Sequence, residues 1–285
     1  MKHGFFLIDK PAGLSSAAVV AKVKRAIGGL KTGHAGTLDP MATGLLVVLF
    51  GSCTRLASKA EASEKEYQGK ILFGRTTDSD DVTGATLTVS EMLPSFEDVR
   101  GAVSSFTGKI MQAPPRISAV KIDGERSYKL ARSGEDVAPQ PREVEVKEFL
   151  VEEESEWEVR YRVRCSKGTY IRSLARDLGE KLGCGGCLST IRRTRNGMFS
   201  VDSAISIEAV TLASARDWWD LLPNTPQVMI AEDVRRRLDH GDPAAPKLVG
   251  MDGEGLVIYK GPDGMPAGFV ELANGTWERG PIFDS

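Results

Sequence analysis

The segment TGHAGTLDPMATGLLVVL, residues 32–49, decides the fold and contains the first candidate site residues. Its glycines allow tight turns and close approach of a ligand, and Pro40 fixes the backbone directly after Asp39. The apolar run at residues 45–50 predicts a buried strand. An isolated Asp-Pro pair would more often be an ordinary turn capped by the aspartate. In this longer segment we expect a rigid loop that holds His34 and Asp39 beside a core strand.

Composition indicates a globular protein. The 285 residues are 41% apolar and 27% charged, which is enough for one large core and a smaller second module. No apolar stretch approaches the length that crosses a bilayer, and the N-terminus lacks a cleavage pattern, so we expect a cytoplasmic protein. Four cysteines are too few for a disulfide framework, and with three histidines the chain predicts no metal site.

Charge is segregated along the chain, although the net charge is only −2. Basic residues outnumber acidic ones by eight to two in residues 1–60 and by ten to two in residues 160–195. Residues 201–285 carry seven basic and fourteen acidic side chains. Basic charge therefore collects in the two segments that hold most of the suspected chemistry, and we expect electrostatic binding to be carried by residues 112–142 and 160–195.

Apolar periodicity predicts two strands and a helix around the loop, at residues 5–8, 67–74 and 15–27. An acidic turn follows the second strand and contains Asp78, Asp80 and Asp81. Clustered carboxylates can hold Mg²⁺ or Ca²⁺, but the spacing is not that of a calcium loop. Asp and Ser also stabilise turns through their own side chains, and we favour this interpretation.

Three consecutive segments differ sharply in charge. Residues 112–142 hold four prolines and six basic residues, and predict an irregular, basic loop of the kind that is commonly functional. Residues 143–158 carry eight glutamates and predict a solvated edge strand with a hairpin turn. Apolar and basic residues alternate along residues 159–165, which predicts a half-buried strand. Its three cations share one face, which we expect to meet phosphate. These cations are Arg160, Arg162 and Arg164.

The segment SKGTYIR, residues 166–172, opens a predicted helix with a leucine stripe. Further along, we expect Arg192, Arg193 and Arg195 to extend the basic surface. Beyond about residue 226, three short strands and two hairpin-turn signals predict a small β module.

Four of these segments together resemble the TruB family of tRNA pseudouridine synthases. Residues 33–44 match the family signature Gly-His-x-Gly-x-Leu-Asp-Pro-x-Ala-x-Gly throughout. Residues 67–84 match its second segment, and residues 165–179 match its third, Cys-Ser-Lys-Gly-Thr-Tyr-Ile-Arg followed by Asp-Leu-Gly. Residues 119–124, Ala-x-Lys-x-x-Gly, are similar to the segment that clamps the RNA stem-loop.

The resemblance implies an α+β fold, a mixed α/β arrangement with a central, mostly antiparallel sheet flanked by helices. It implies a pseudouridine synthase catalytic domain at residues 1–225, with the basic RNA-clamping loop inserted at about residues 112–142. Residues 226–285 then form a small PUA-like β domain.

The resemblance also assigns roles in the site. Asp39 is then the catalytic carboxylate, Arg172 pairs with it, and Tyr67 lies against the target base. Substrate contacts are also expected from His34, Lys167, Tyr170 and Ile191. The implied reaction breaks the C1′–N1 bond of a uridine, turns the base and joins C5 to C1′, so no cofactor and no metal are expected. Whether the carboxylate attacks C1′ or C6 stays open.

The implied substrate is uridine-55 in the T-arm loop of tRNA, bound by a monomer without a guide RNA. One alternative is the same reaction on other RNA, under guide-RNA control as in related archaeal and eukaryotic enzymes. A second is a non-catalytic RNA chaperone, which the complete motifs around Asp39, Arg172 and Tyr67 disfavour. A third is a metal-dependent phosphoesterase built on the acidic turn, which lacks supporting histidines and would be sensitive to chelator.

Overall fold

The computed structural model describes residues 2–61, 63–117, 121–122, 125–126, 140–249, 254–281 and 283. The strands in these residues are β1 Gly4–Lys10, β2 Thr32–Ala35, β3 Thr43–Phe50, β4 Lys65–Phe73, β5 Arg75–Thr77, β6 Thr86–Val89, β7 Gly108–Gln112, β8 Lys121–Ile122, β9 Glu125–Arg126, β10 Arg142–Glu153, β11 Glu158–Cys165, β12 Gly186–Asn196, β13 Phe199–Ser200, β14 Gln227–Met229, β15 Gly255–Lys260, β16 Pro266–Ala273 and β17 Thr276–Arg279. The α-helices are α1 Ser16–Ala26, α2 Ala57–Glu61, α3 Phe96–Ala102, α4 Ile171–Lys181 and α5 Glu232–Asp239.

A nine-stranded sheet carries the order β1-β3-β12-β4-β11-β10-β7, with β2 added to β3 and β13 added to β12. Among the described strands of this sheet, each pair is antiparallel except β12 with β3, where Arg193 lies opposite Gly44. The prediction of a mixed α/β fold with a central, mostly antiparallel sheet is confirmed. The one parallel pair joins the segment after α4 to the strand that follows the Asp39 loop.

Two hydrophobic cores lie on opposite faces of this sheet, and β3 contributes to both. Its side chains point alternately to the two faces. Leu46 and Val48 join the core that contains α1 and α4, whereas Leu45 and Val47 join the second core. The strand predicted at residues 45–50 is therefore buried on both faces.

Helix α1 begins where the sequence predicts. Ser15 is its N-cap, and Oγ of this serine accepts a hydrogen bond from Ala18 N at 3.1 Å. Val19 and Val23 are fully buried against the sheet, one helical turn apart. None of the described helices is long and apolar enough to span a membrane.

The glutamate-rich segment at residues 143–158 forms the predicted hairpin and is partly an edge. β10 pairs with β11 at residues 146–153, whereas β7 covers only residues 142–146 on its other side. Among the described strands, the predicted edge is therefore confirmed for residues 147–153 and wrong for residues 143–146. Glu148 and Glu152 lie opposite Arg164 and Arg160 of β11, so this pairing neutralises charge along the hairpin.

The C-terminal part of the chain contains a four-stranded sheet in the order β14-β15-β16-β17. Three of its strands lie where the sequence predicts, and Asn274 and Gly275 have φ angles of 50° and 71°, as a type I′ turn requires. β14 and α5 were not predicted. The boundary at residue 225 and the PUA-like character of this part stay predictions.

The C-terminal sheet packs onto β1 and β3 of the nine-stranded sheet through the second core. Ile258 and Phe269 from the C-terminal sheet share that core with Phe5 and Leu45. Phe283 stacks on the buried Trp218, with ring centroids 3.9 Å apart. These contacts cover the face of β1 and β3 that is turned away from α1.

The predicted basic loop at about residues 112–142 lies mostly outside the described residues. Described parts are residues 112–117, the strands β8 and β9, which pair with each other, and residues 140–142. A role of this loop in clamping RNA stays a prediction.

Candidate active site

A cavity of about 530 Å³ opens between the Asp39 loop, strands β4 and β12, and the segment that leads into α4. The residues singled out from the sequence all line it, although they come from distant parts of the chain. These residues are His34, Asp39, Tyr67, Lys167, Tyr170, Arg172 and Ile191. The fold thus brings the predicted site residues to one place.

Asp39 and Arg172 form an ion pair at this cavity. Arg172 Nη2 donates to Asp39 Oδ1 at 3.1 Å, and Nε lies 3.0 Å from Oδ2. The second contact is not aligned with the N–H, so it is a charge contact and not a hydrogen bond. The Arg172 side chain is 6% exposed and that of Asp39 is 37% exposed. The carboxylate is therefore accessible to a ligand while its cation is buried.

The remaining contacts of Arg172 fix its guanidinium. Nη1 donates to Ser79 O at 2.8 Å and lies 3.5 Å from Asp81 Oδ2. Nη2 also donates to Ile117 O at 3.2 Å. An arginine held by this many acceptors is oriented toward Asp39 and is not available to RNA phosphate.

The acidic turn beside Arg172 is stabilised by its own side chains. Asp78 Oδ1 accepts a hydrogen bond from Ala85 N at 2.9 Å, and Asp81 Oδ1 accepts one from Thr83 N at 3.0 Å. Asp80 pairs with Arg176 at 2.8 Å. In the part of the chain that the structure describes, no group of three or more His, Cys, Asp and Glu side chains is placed to hold a metal ion. These contacts are those of a side-chain-stabilised turn, the interpretation that we favoured.

Two buried side chains hold the backbone on either side of Asp39. Ser16 Oγ accepts from Leu38 N at 2.8 Å and donates to Leu38 O at 2.9 Å. Lys10 Nζ donates to Pro40 O at 3.3 Å and to a second carbonyl at 2.6 Å. Lys10 was not predicted as a site residue, and its only signal in the sequence is the Lys-Pro turn at the end of β1.

Arg193 is a second buried cation, below the Asp39 loop. Its side chain is fully buried, with Nε donating to Leu45 O at 2.7 Å and Nη2 donating to Gly36 O at 3.1 Å. Arg192 forms a bidentate pair with Asp9 at 2.9 and 2.8 Å. The expectation that these arginines extend a basic surface is wrong for Arg193, which is buried, and for Arg192, which is neutralised, whereas Arg195 is exposed. Nothing in the run Ile-Arg-Arg-Thr-Arg marks the buried arginine.

Gly44 permits the close approach of β3 to β12 at Arg193, and we expect its replacement to destabilise the protein. Its φ angle is 98°, and a Cβ at this position would collide with the Arg193 backbone. Strained backbone costs about 1–3 kcal/mol. Each kcal/mol lowers Tm by roughly 2–4 °C in chains of about 150–250 residues. Gly44→Ala should therefore lower Tm by several degrees in thermal unfolding followed by circular dichroism.

Gly101→Ala is the matched control for this prediction. Gly101 lies in α3, and a Cβ there would meet open space. Alanine is favoured over glycine inside a helix, so this variant should keep or raise Tm. Equal Tm values for the two variants would contradict the expected strain at Gly44.

Burial lowers the pKa values of three basic groups, two that line the cavity and Lys10, which holds the Asp39 loop. It lowers the pKa of Lys65 to about 8, with the Arg193 charge acting in the same direction. Burial also lowers the pKa of Lys10 to about 8, although Asp39 raises it. Burial and then the Arg193 charge lower the pKa of His34, so its imidazole is neutral near pH 7. His34 is therefore a neutral hydrogen-bonding group toward a ligand.

Apolar and aromatic side chains form the other walls of the cavity. Tyr67 on β4 and Ile191 on β12 are buried, and burial raises the pKa of Tyr67, which stays a neutral phenol at physiological pH. Tyr170 precedes α4, and the guanidinium of Arg142 lies 5.1 Å from the centroid of its ring. These walls are suited to a planar base.

The three arginines of β11 form a neutral charge ladder, which we define as Arg160, Arg162 and Arg164 with their glutamate partners. Arg160 lies 2.9 Å from Glu154, Arg162 lies 3.2 Å from Glu148, and Arg164 lies 2.9 Å from Glu64. Tyr67 is opposite Val163 in the register of β4 and β11, so the arginines point to the other face of the sheet. The expectation that this face presents unbalanced positive charge is wrong.

The fold is shared with solved structures of complexes that contain Cbf5. A crystal structure of a Cbf5-Nop10-Gar1 complex matches with a TM-score of 0.70 and 24% identity, over 99% of this chain and 84% of that chain. A crystal structure of the archaeal box H/ACA sRNP Nop10-Cbf5 complex matches with the same TM-score and 20% identity, over 99% of this chain and 86% of that chain. At these identities the similarity concerns the fold alone.

Family models match consecutive parts of the chain. Residues 24–171 match the TruB family pseudouridylate synthase N-terminal domain, and residues 172–220 match the tRNA pseudouridylate synthase B C-terminal domain. The fold, together with an aspartate–arginine pair in a base-sized cavity, defines a pseudouridine synthase.

Curated relatives match over most of the chain. The tRNA pseudouridine synthase B of Syntrophus aciditrophicus (strain SB) is 41% identical, over 84% of this chain and 79% of that protein. The protein of the same name from Thermobifida fusca (strain YX) is 39% identical, over 99% of both chains. The chain belongs to the TruB family of pseudouridylate synthases.

Proposed function

We propose that this protein isomerises uridine-55 in the T-arm loop of tRNA to pseudouridine. The single observation that supports this most is the Asp39 carboxylate, held by Arg172 in a cavity that Tyr67, Tyr170 and Ile191 also line. Relatives that match along the chain are named tRNA pseudouridine synthase B, which supports tRNA as the substrate.

Asp39 supplies the carboxylate that the isomerisation needs. The C1′–N1 bond breaks, the released base turns, and C5 bonds to C1′; the C5 proton leaves and N1 gains a proton, so the product is an isomer of the substrate. A carboxylate at the cavity can act as a nucleophile toward C1′ or C6, or stabilise positive charge that develops on the sugar. Two contacts from Arg172 restrict rotation of the carboxylate, so its oxygens meet the substrate already oriented.

The cavity has room for one nucleotide that has left its stack. Its volume of about 530 Å³ lies within the roughly 300–1,000 Å³ that is typical of small-ligand sites. Extruding a base costs a few kcal/mol, and stacking on an aromatic ring returns about 1–3 kcal/mol per base. Tyr67 supplies such a ring. His34 lines the cavity, so we expect it to contact the flipped nucleotide or to fill the position that the nucleotide vacates.

Exposed cations on the elements that contact or adjoin β2, the strand that carries His34, supply charge for RNA phosphates. They lie in α1, just before β2 and in the turn after β3, and form no ion pair with a residue that the structure describes. These cations are Lys22, Lys24, Arg25, Lys31 and Arg55. Lys167 is also exposed, and it lines the cavity itself. The charge ladder lacks this excess, because each of its arginines faces a glutamate.

Two triple alanine variants test this surface, one at Lys24, Arg25 and Lys31 and the other at Arg160, Arg162 and Arg164. We expect the first to flatten the salt dependence of tRNA binding, because each lost phosphate contact removes about 0.7–0.9 from the slope of log K against log salt. The second should leave the slope unchanged. Filter binding over a salt series is the measurement. A loss of slope confined to the second variant would show that RNA binds the charge ladder.

The enzyme acts alone in this proposal, as a monomer and without a guide RNA. This part of the proposal rests on the Thermobifida fusca relative, which matches over 99% of both chains and is named a tRNA pseudouridine synthase. Purified protein should modify transcribed tRNA with no other RNA present, and light scattering should give the mass of one chain. Activity that depends on an added second RNA would contradict this part of the proposal.

The decisive experiment maps the product. Purified protein is incubated with unmodified tRNA in EDTA, and pseudouridine is located by carbodiimide treatment and primer extension. We expect one new stop, at position 55, that does not depend on a divalent cation. Binding without any new stop would indicate an RNA chaperone, and chelator-sensitive cleavage would indicate a phosphoesterase.

A further inference from the structure

Gln112, the last residue of β7, carries a buried amide whose two polar ends bind the backbone of a single residue. Its Oε1 accepts from Tyr170 N at 2.7 Å, and its Nε2 donates to Tyr170 O at 3.0 Å. The side chain is only 1% exposed, so an unpaired amide here would be costly. Among neutral side chains of this length, only glutamine offers both a donor and an acceptor.

The two hydrogen bonds from the Gln112 amide, which we call the clamp, act at a position that matters for the site. Tyr170 is the N-cap residue of α4, and its own side chain makes no capping hydrogen bond. Arg172 follows two residues later, and the Tyr170 ring lines the cavity. The orientation of the first turn of α4 therefore fixes both the wall of the base pocket and the cation that holds Asp39.

The residues after Gln112 run beside α4, and their backbone carbonyls accept hydrogen bonds from side chains of that helix. Ala113 O accepts from Ser173 Oγ at 2.8 Å and from Arg176 Nη2 at 3.0 Å. Ile117 O accepts from Arg172 Nη2 at 3.2 Å, the same nitrogen that donates to Asp39. We call residues 112–117 the strap. Because Pro114 and Pro115 are buried within it and restrict its backbone, the strap presents its carbonyls in a fixed arrangement.

We propose that Gln112 is a positioning residue for the isomerisation. Through the Tyr170 backbone it sets the first turn of α4, and with it the position of the Arg172–Asp39 pair relative to the base pocket that Tyr170 lines. This inference rests on the proposed function. It assigns to Gln112 no contact with substrate, so loss of its clamp lowers the rate of the chemical step and leaves RNA affinity nearly unchanged.

Gln112→Ala and Gln112→Glu test the inference, with Gln68→Glu as the control at an exposed position of β4. Single-turnover rates at saturating tRNA and tRNA Kd are measured for each protein. We expect Gln112→Ala to lower the rate roughly tenfold to a hundredfold, as displacements on the 1 Å scale do, with Kd within about threefold of the parent. Gln68→Glu should match the parent in both.

The pH profile of Gln112→Glu separates positioning from general loss of structure. The ionised carboxylate keeps an acceptor for Tyr170 N but sets a second acceptor against Tyr170 O. When protonated, it regains a donor and resembles the amide. Its rate relative to the parent should therefore rise as pH falls from about 8 toward 6, by up to about tenfold per pH unit. The control should show a flat ratio.

Each outcome decides the inference. Rates of both Gln112 variants within about twofold of the parent would overturn it, as would a loss confined to Kd. If Gln112→Ala does not fold, the nearly isosteric Gln112→Glu carries the test, and a ratio that is flat with pH overturns the proposal. Failure of the parent protein to form pseudouridine would instead overturn the proposed function, so the two failures are distinguishable.

Discussion

Replacement of Asp39 by asparagine is expected to abolish pseudouridine formation, even in single-turnover assays with enzyme in excess. Asparagine is nearly the same size as aspartate, but it is neutral and far less nucleophilic. The loop should keep its conformation, because Ser16 and Lys10 hold it through the backbone of the two neighbouring residues. We therefore expect an unchanged Tm and nearly unchanged tRNA affinity beside the loss of activity.

The companion variant Asp39→Glu keeps the charge and moves it by one methylene. A displacement of this size can lower a rate roughly a hundredfold. We expect severe impairment, because the buried Arg172 is fixed by Ser79 O and Ile117 O and does not follow the displaced carboxylate. Single-turnover formation by folded Asp39→Asn within about tenfold of the parent, equal to about 1.4 kcal/mol of barrier, would show that Asp39 is not essential.

Replacement of Arg172 by alanine is expected to reduce turnover far more than tRNA binding. The guanidinium is buried and contacts Asp39, so its loss removes the orientation of the carboxylate rather than a phosphate contact. We expect a loss of roughly a hundredfold or more in turnover at saturating tRNA, with Kd within about threefold. Arg172→Lys should recover little, because an ammonium does not reproduce the planar fork of donors.

Arg160→Ala is the matched control for this experiment. Arg160 is also an arginine in contact with a carboxylate, but it is exposed and belongs to the charge ladder on the opposite face. It should leave both turnover and Kd unchanged. If Arg172→Ala chiefly raised Kd and left turnover at saturation intact, its assignment to Asp39 would be wrong.

The sequence indicated much of the fold and of the candidate site because the relevant signals are local. The β3 strand follows from one apolar run, and the α1 start follows from one serine before a helical stripe. Asp39 and Arg172 each lie inside a long motif, so their importance is visible without knowing that they touch. The geometry that joins them comes from the fold, which places the first turn of α4, with Arg172, against the Asp39 loop.

The sequence did not predict the burial or the charge pairing of side chains that depend on strand register. The burial of Arg193 follows from the parallel pairing of β12 with β3, and neutralisation of Arg162 follows from its diagonal contact with Glu148, because Leu150 lies directly opposite it. Similarly, Gln112 gains its role only because β7 ends beside the start of α4. From the sequence alone, a charged or amide side chain is predicted to be exposed. Only the neighbouring strand in the structure shows whether it is paired.

The burial of β3 on both faces has a consequence for hydrogen exchange. This strand pairs with β1, β2 and β12, and its side chains enter both cores. Its amides should therefore exchange with deuterium only when the whole chain unfolds, whereas elements with fewer buried contacts open locally at lower free energy. Exchange of residues 45–49 no slower than that of β17 would contradict this. The Asp39 loop is thus attached to the most protected segment, and its geometry persists while the periphery of the protein opens and closes.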